Sequence, residues 1–175
     1  MRHNTDAMRG FTLIELMVTL AVMLIVLMFA SGPFGALLAR NKLTATVNDF
    51  VATLSLARSM AVKGEPTTIC IDNNGACGTG TDWSNGALIF TDANANKVID
   101  GTDAIKRRLD ATANIIITSN VAAVTYGRDG GATMQSATTN SKWLFCDSSG
   151  RAEPRIVAVS GVGSNYLFKP ATCSF

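Results

Sequence analysis

The sequence predicts an α+β protein in which one long N-terminal helix packs on an antiparallel β-sheet domain. Three observations indicate this class. Residues 11–30 form a nearly continuous apolar run, residues 43–61 repeat apolar side chains at spacings of three and four, and short β-type runs separated by turn residues follow from Thr67. A length of 175 residues suits one apolar helix and one domain of ordinary size.

The apolar run begins at Phe11 and contains three polar side chains, those of Thr12, Glu15 and Thr19. Twenty such residues are long enough to cross a bilayer as one helix, so we expect a transmembrane or filament-core helix over residues 11–31. An acidic side chain at mid-membrane costs about 2.5–3.5 kcal/mol, and less near an end. Glu15 is therefore predicted to have a partner.

The helix is expected to continue over residues 32–64 as an amphipathic second half. Lys63 and Gly64 are typical of a helix C-terminus, and Pro66 prevents further helix. The predicted buried stripe consists of Leu43, Val47, Phe50, Val51, Leu54, Ala57 and Ala61.

Residues 65–175 are predicted to form a β-rich globular domain. Its turn-separated runs favour antiparallel sheet covered by the helix. The predicted strands are residues 67–72, 86–92, 104–109, 114–119, 122–127, 142–146, 155–160 and 165–169.

The cysteine count is even, and all four cysteines follow the apolar run, which suits two disulfides in an oxidising compartment. Of the three possible pairings we favour Cys70 with Cys77, which closes a short loop, and Cys146 with Cys173, which ties down the C-terminus. The alternative is four reduced, buried thiols.

Composition excludes several kinds of chemistry. The net charge is +2, which gives no broad electrostatic argument for nucleic acid. The single histidine, His3, precedes the apolar run, so the domain has no histidine for a catalytic triad or a histidine-based zinc site. No nucleophile, base and orienting group recur at a recognisable spacing, and we do not expect an enzyme.

The segment "DANANKVIDGTD" resembles a calcium loop because oxygen-bearing side chains alternate along it. Lys97 stands where an EF-hand loop has glycine, and an aspartate replaces the closing glutamate. A polar turn with Asx caps is the favoured alternative. The tentative calcium ligands are Asp92, Asn94, Asn96, Asp100 and Asp103.

Basic side chains form a second candidate site, which would bind the phosphates of DNA if they converge. Solvated positions at a sheet edge are the commoner explanation for such charges. The candidate DNA-binding residues are Arg151, Arg155 and Lys169, with further cations at Lys106, Arg107, Arg108 and Arg128.

The segment "RGFTLIELMV" (residues 9–18) resembles the leader junction of type IV prepilins and type II secretion pseudopilins. The resemblance implies a leader peptide over residues 1–10, cleavage between Gly10 and Phe11 by a membrane prepilin peptidase, and N-methylation of Phe11. It also implies that the helix stays in the inner membrane until it enters a filament.

Cleavage there would create a cationic amine at Phe11, one helical turn from Glu15. We expect Glu15 of one subunit to pair with the Phe11 amine of a neighbour, which would fix the register of bundled helices. The alternatives are a carboxylate stabilised by the helix dipole or one that reaches the membrane interface.

The "TTICID" and "FCDSSGRAEPRIVAVSGVG" blocks resemble the GspH/FimT branch of pilin-like proteins. This implies a minor pilin or pseudopilin that assembles with other minor and major pilins, in an assembly-initiating or tip complex. A DNA-binding minor pilin for natural transformation and a minor pseudopilin of type II secretion are the alternatives. The DNA-binding relatives carry a Gly-Arg-x-Arg motif, where this chain has Ser164 and Tyr166 in place of the arginines.

The implied location is the bacterial inner membrane, with a single pass and a periplasmic C-terminal domain, and then a filament or its tip at the cell surface. Orientation does not follow from charge, because Arg2 and Arg9 before the apolar run are balanced by Arg40 and Lys42 after it.

Overall fold

The computed structural model describes residues 10–101, 103–134, 140–170 and 172–174, except for the side chains of residues 29–33. The chain divides into two compact units, one ending at Leu37 and the other beginning at Leu38. Helix α1 runs over Leu13–Lys63 and ends at the predicted residue. Gly64 follows it and Pro66 cannot continue it.

The described part of the chain contains ten strands, all paired antiparallel. All eight predicted strands are present with small shifts at their ends, and two short strands, β2 and β7, were not predicted. The strands are β1 (Thr67–Asn73), β2 (Ala76–Cys77), β3 (Gly86–Thr91), β4 (Ile105–Asp110), β5 (Ile115–Ser119), β6 (Ala123–Tyr126), β7 (Ala132–Met134), β8 (Asn140–Asp147), β9 (Arg155–Ser160) and β10 (Asn165–Phe168).

The strands form two sheets, a division that the sequence analysis does not address. The first has the order β4-β3-β1-β6-β7, with β2 paired to β1, and the second has the order β10-β9-β8-β5. Among the described strands no ladder joins the two sheets. The chain leaves the first sheet after β4, contributes β5 to the second and returns for β6, so neighbours in sequence do not predict the partition.

The amphipathic half of α1 supplies a face that packs on both sheets. Leu43, Val47, Leu54 and Ala57 are buried in one cluster with inward-facing residues of each sheet. Phe50 lies at its centre, because its ring centroid is 5.2 Å from those of Trp143 and Phe145 and 6.0 Å from that of Trp83. The stripe predicted from spacing is therefore the helical side of the core.

Arg58 of α1 links the two sheets at one end of this core. Its Nε donates to the carbonyl oxygen of Gly130, in the β6–β7 turn, at 3.0 Å. Its guanidinium also donates to the carbonyl of Val162, in the β9–β10 turn, at 3.1 Å. Gly130 and Gly163 both have positive φ, at 78° and 77°, which residues with a side chain rarely adopt.

Within the residues that the structure describes, no helix combines the length and hydropathy that a membrane crossing requires. The side chains of residues 29–33, near the end of the predicted transmembrane or filament-core segment 11–31, are outside the description. The role of that segment stays a prediction.

Replacing Phe50 with Ala should lower the free energy of unfolding by about 3–5 kcal/mol, because it opens a cavity between three aromatic rings. Leu56→Ala is the matched control on the same helix. Leu56 is 38% exposed, and its loss should cost less than about 1 kcal/mol. Urea denaturation followed by far-UV circular dichroism measures both, and equal losses would show that Phe50 is not central to the core.

Candidate functional site

The predicted processing junction is open to solvent. Gly10 and Phe11 are both exposed and precede α1. A side-chain Cβ built at Gly10 would meet no atom within 4 Å. Nothing in the described fold therefore requires glycine at this position.

Thr12 caps the N-terminus of α1. The backbone N–H of Glu15 donates to Thr12 Oγ1 at 3.3 Å, and the N–H of Leu16 donates to the Thr12 carbonyl at 3.2 Å. The pattern Thr-x-x-Glu is that of a capping box, in which both residues satisfy free backbone groups at a helix start. The Thr-x-x-Glu spacing is visible in the sequence, and the sequence analysis did not use it.

Glu15 lies in the first turn of α1 and is exposed. The positive end of the helix dipole stabilises a carboxylate there by about 0.3–1 kcal/mol. No ion pair of Glu15 occurs among the described residues. Phe11 lies two residues before the first residue of the helix, and the pairing of its amine with Glu15 of a neighbouring subunit stays a prediction.

The first half of α1 exposes its apolar side chains on all sides. Every large hydrophobic side chain among the described residues from Phe11 to Met28 is exposed, from 53% at Leu20 to 84% at Phe11. A patch of this size on one chain indicates a surface that another apolar phase or another protein covers.

Two disulfides staple the domain in the pairs favoured from the sequence, Cys70–Cys77 and Cys146–Cys173. Their Cα atoms are 5.5 and 5.9 Å apart. The first joins β1 to the short β2, and the second joins β8 to the C-terminal segment. No cysteine is free, so the alternative of four reduced thiols does not hold in this structure.

The calcium candidates form a hydrogen-bonded turn. The carboxylate of Asp92 is fully buried and accepts from the Thr68 hydroxyl at 2.6 Å and from the backbone N–H groups of Asn96 and Lys97 at 3.0 Å each. Asn94 Oδ1 accepts from the same Asn96 N–H at 3.2 Å, Asn96 Oδ1 accepts from the Val98 N–H, and Asn96 Nδ2 donates to Asp100. Asp103 in turn accepts from the Asp100 N–H.

These contacts match the Asx-capped turn that the sequence favoured over a metal site. In the described part of the chain, no three Asp, Glu, His or Cys side chains are grouped to hold a metal ion. The structure therefore does not group the three aspartates among the tentative calcium ligands, Asp92, Asp100 and Asp103, at one centre. The side-chain oxygens of the other two, Asn94 and Asn96, accept from backbone N–H groups of the turn.

Three of the seven basic candidates form ion pairs with carboxylates. Arg108 pairs with Asp72 at 3.0 Å, and Lys169 pairs with Glu153 at 3.7 Å. Arg107 pairs with Asp49 of α1. These ion pairs reduce the positive charge that the segment "AIKRRL" and the end of β10 present to an anion.

Arg151 and Arg155 occupy different surroundings. Arg151 is exposed in a turn held by Asp147, whose carboxylate accepts from the Arg151 backbone N–H at 2.9 Å. The Ser149 hydroxyl bonded to Asp147 lowers the pKa of that carboxyl. Arg155 lines a cavity with Arg40 and Glu153, so the predicted trio of Arg151, Arg155 and Lys169 does not form a single uniformly cationic face.

Comparison with known proteins identifies two family models that match this chain. The prokaryotic N-terminal methylation motif matches residues 6–31, and the model of the type II transport protein GspH family matches residues 46–163. A search of curated proteins finds no significant match.

Two kinds of solved structure share the fold. The type IV minor pilin FimU of Pseudomonas aeruginosa has a TM-score of 0.55 at 20% identity, covering 75% of this chain and 99% of that one. The minor pseudopilin EpsH of the Vibrio cholerae type 2 secretion system has a TM-score of 0.52 at 11% identity, with the same coverage.

The fold and the N-terminal methylation motif define a pilin-like protein. The family model of the type II transport protein GspH matches about two thirds of the residues of this chain, so the chain belongs to that family.

Asp92→Ala should destabilise the domain by about 1–3 kcal/mol, since it removes the acceptor of the buried Thr68 hydroxyl and of the Lys97 backbone N–H. Asn94→Ala is the control, because its exposed side chain accepts one bond, from the Asn96 N–H at 3.2 Å. Thermal melts measure both. If millimolar calcium raises the melting temperature of the unsubstituted chain, and Asp92→Ala abolishes the rise, the turn is a metal site after all.

Proposed function

We propose that the chain is a minor pilin or pseudopilin that enters a type IV pilus-like filament, in the complex that initiates assembly or forms its tip. The observation that carries the proposal is the exposed apolar first half of α1, with Glu15 in its first turn. Fully burying one large apolar side chain is worth about 1.5–3 kcal/mol. A bundle of such helices from neighbouring subunits would be stabilised strongly and without directional preference.

Glu15 would fix the axial register of neighbouring helices, which apolar burial alone does not fix. A carboxylate that enters an apolar bundle needs a cation, and the amine created at Phe11 of an adjoining subunit is one of the right charge. Hydrophobic contacts tolerate sliding along the helix axis, whereas this ion pair forms at one axial offset. Glu15 therefore selects the register in which subunits add.

Processing by a prepilin peptidase would create this amine. The junction between Gly10 and Phe11 is exposed, as a protease requires. Because the described fold places no demand on Gly10, recognition by the enzyme is the remaining reason for glycine there. Methylation of the Phe11 amine retains its charge.

Before assembly the apolar helix would reside in the bacterial inner membrane with the domain in the periplasm. The two disulfides support this side, since they persist in oxidising compartments. After assembly the partners are other minor and major pilins or pseudopilins. The role is structural, and the chain is a substrate of the peptidase instead of a catalyst.

The family description favours a second candidate, a minor pseudopilin of the type II secretion system. The third, a DNA-binding minor pilin, is weakened by the Lys169–Glu153 ion pair beside Arg155. Deleting the gene separates them. Loss of surface pili supports the pilus, loss of exported proteins supports secretion, and loss of transformation alone supports DNA uptake.

Gly10→Val should block cleavage without altering the fold, because the position is open and the substitution affects recognition by the peptidase. Intact-mass spectrometry of the chain from its host should show the leader retained and no added methyl group. Thr79→Val, in an exposed loop, is the control for folding and processing. Mature material that begins at a residue other than Phe11 would contradict the junction.

Glu15→Gln should leave membrane insertion intact and reduce incorporation into filaments at least about tenfold, the effect of losing about 1.4 kcal/mol. Glutamine keeps the length and helix preference of glutamate, so the change isolates the charge. Thr19→Val on the next turn is the matched control. Immunoblots of membrane and sheared filament fractions measure both, and normal incorporation of Glu15→Gln would refute the pairing.

A further inference from the structure

We propose that the outer face of the four-stranded sheet binds a glycan in a groove across β8, β9 and β10. The groove has a volume of about 500 Å³, within the range typical of small-molecule sites. It has an aromatic wall of Tyr166 and Phe168, a floor of Ile156 and Ala158, and a polar rim of Asn140, Lys142 and Ser160.

The strand register builds this groove. Ala158 of β9 pairs with Tyr166 on one side and with Lys142 on the other, so a small residue separates two long side chains. Alternation along the strands places all three on the face opposite the core, into which Val157 and Val159 point. Ala158 lies between these two side chains and is itself 4% exposed, so it forms the bottom of the groove.

The aromatic wall is exposed to solvent. Tyr166 is 50% and Phe168 is 52% exposed, and their rings lie 6.4 Å apart with planes 22° from parallel. Aromatic side chains carry most of their binding energy in apolar contact, so two such rings beside an open groove indicate a ligand surface.

The opposite rim offers hydrogen-bonding groups on a fixed backbone. The Asn120 side chain accepts from the Lys142 N–H at 2.8 Å and donates to the Asn140 carbonyl at 3.0 Å. The side chains of Asn140 and Lys142 make no hydrogen bond or ion pair within the described residues and remain available for a ligand.

These features fit a sugar ring. The C–H groups on one face of a pyranose carry partial positive charge and pack on the negative face of an aromatic ring. Its hydroxyl and acetamido groups bond to amide, hydroxyl and ammonium side chains such as those of Asn140, Ser160 and Lys142.

The charge of the groove separates a glycan from single-stranded nucleic acid, which also stacks on aromatic rings. Nucleic-acid grooves follow the phosphates with a track of cations. Lys142 is the one cation among the groove's lining residues, and Lys169, which follows Phe168, is paired with Glu153. A neutral or singly anionic sugar chain matches this charge.

Titration calorimetry on the full chain in detergent tests the proposal with three probes: chitotetraose, the disaccharide of N-acetylglucosamine and N-acetylmuramic acid, and a single-stranded oligothymidylate. We expect saturable binding of both sugars. Tyr166→Ala and Phe168→Ala should each weaken it about tenfold or more. Lys142→Gln keeps a hydrogen-bond donor but removes the charge, so it should weaken binding of the acidic disaccharide more than binding of chitotetraose.

Leu167→Ala is the matched control. Leu167 lies between the two aromatic residues, is 51% exposed and points to the opposite face of β10. Its loss should leave binding unchanged. Thermal melts check each variant, and glutamine replaces alanine at the same position in any variant that melts early.

Three results would overturn the proposal. One is the absence of saturable heat with either sugar up to about 10 mM, an affinity too weak for a built site. The second is an equal loss of binding in Leu167→Ala. The third is binding of the oligothymidylate, and of neither sugar, in a manner that Tyr166→Ala abolishes, which would assign the groove to nucleic acid. The assay does not depend on filament assembly.

Discussion

Burial of one helical face against two separate sheets is the interaction on which the domain depends. The second half of α1 contributes an unbroken stripe to the cluster that both sheets share, and Phe50 contacts aromatic side chains from the second sheet and from the loop carrying Trp83. No strand ladder joins the sheets in the described residues. They are held together by packing on this helix and on each other, by the hydrogen bonds of Arg58, and by a backbone hydrogen bond from the Ala132 N–H to the Gly161 carbonyl at 2.9 Å. The indole N–H of Trp83 donates to the Val121 carbonyl at 2.9 Å, so the one polar atom of this buried side chain has a hydrogen-bond partner.

Much of this architecture is predictable from sequence because it is local. The spacing of apolar residues in α1, the Gly64 and Pro66 signals and eight of the ten described strands follow from periodicity and turn residues. β2 and β7 have two and three residues, too few to show alternation. The division into two sheets depends on pairings between distant strands, and Trp83 enters the core from outside any strand, so neither leaves a local pattern.

The candidate sites also divide into those that a local sequence pattern predicts and those that depend on contacts between distant residues. The apolar run with Gly10, Phe11 and Glu15 is a compact motif that can be recognised in the sequence, and the Thr-x-x-Glu spacing that caps the helix at Thr12 is equally local. The basic residues are different. Arg107 and Arg108 read as free cations until the fold brings Asp49 and Asp72 beside them. The turn after β3 resembles a metal loop until Thr68 from the neighbouring strand supplies a hydroxyl to Asp92.

The contacts of Arg58 have a mechanical consequence. A subunit held by its helix and pulled through its domain transmits tension from α1 into the sheets, and hydrophobic contacts alone resist such shear weakly because they are non-directional. The Arg58 guanidinium spans two turns from different sheets with directed hydrogen bonds, so both sheets are pulled by the same residue. Stretching the domain would therefore strain the two sheets together, and its resistance to force would exceed that of either sheet anchored by itself.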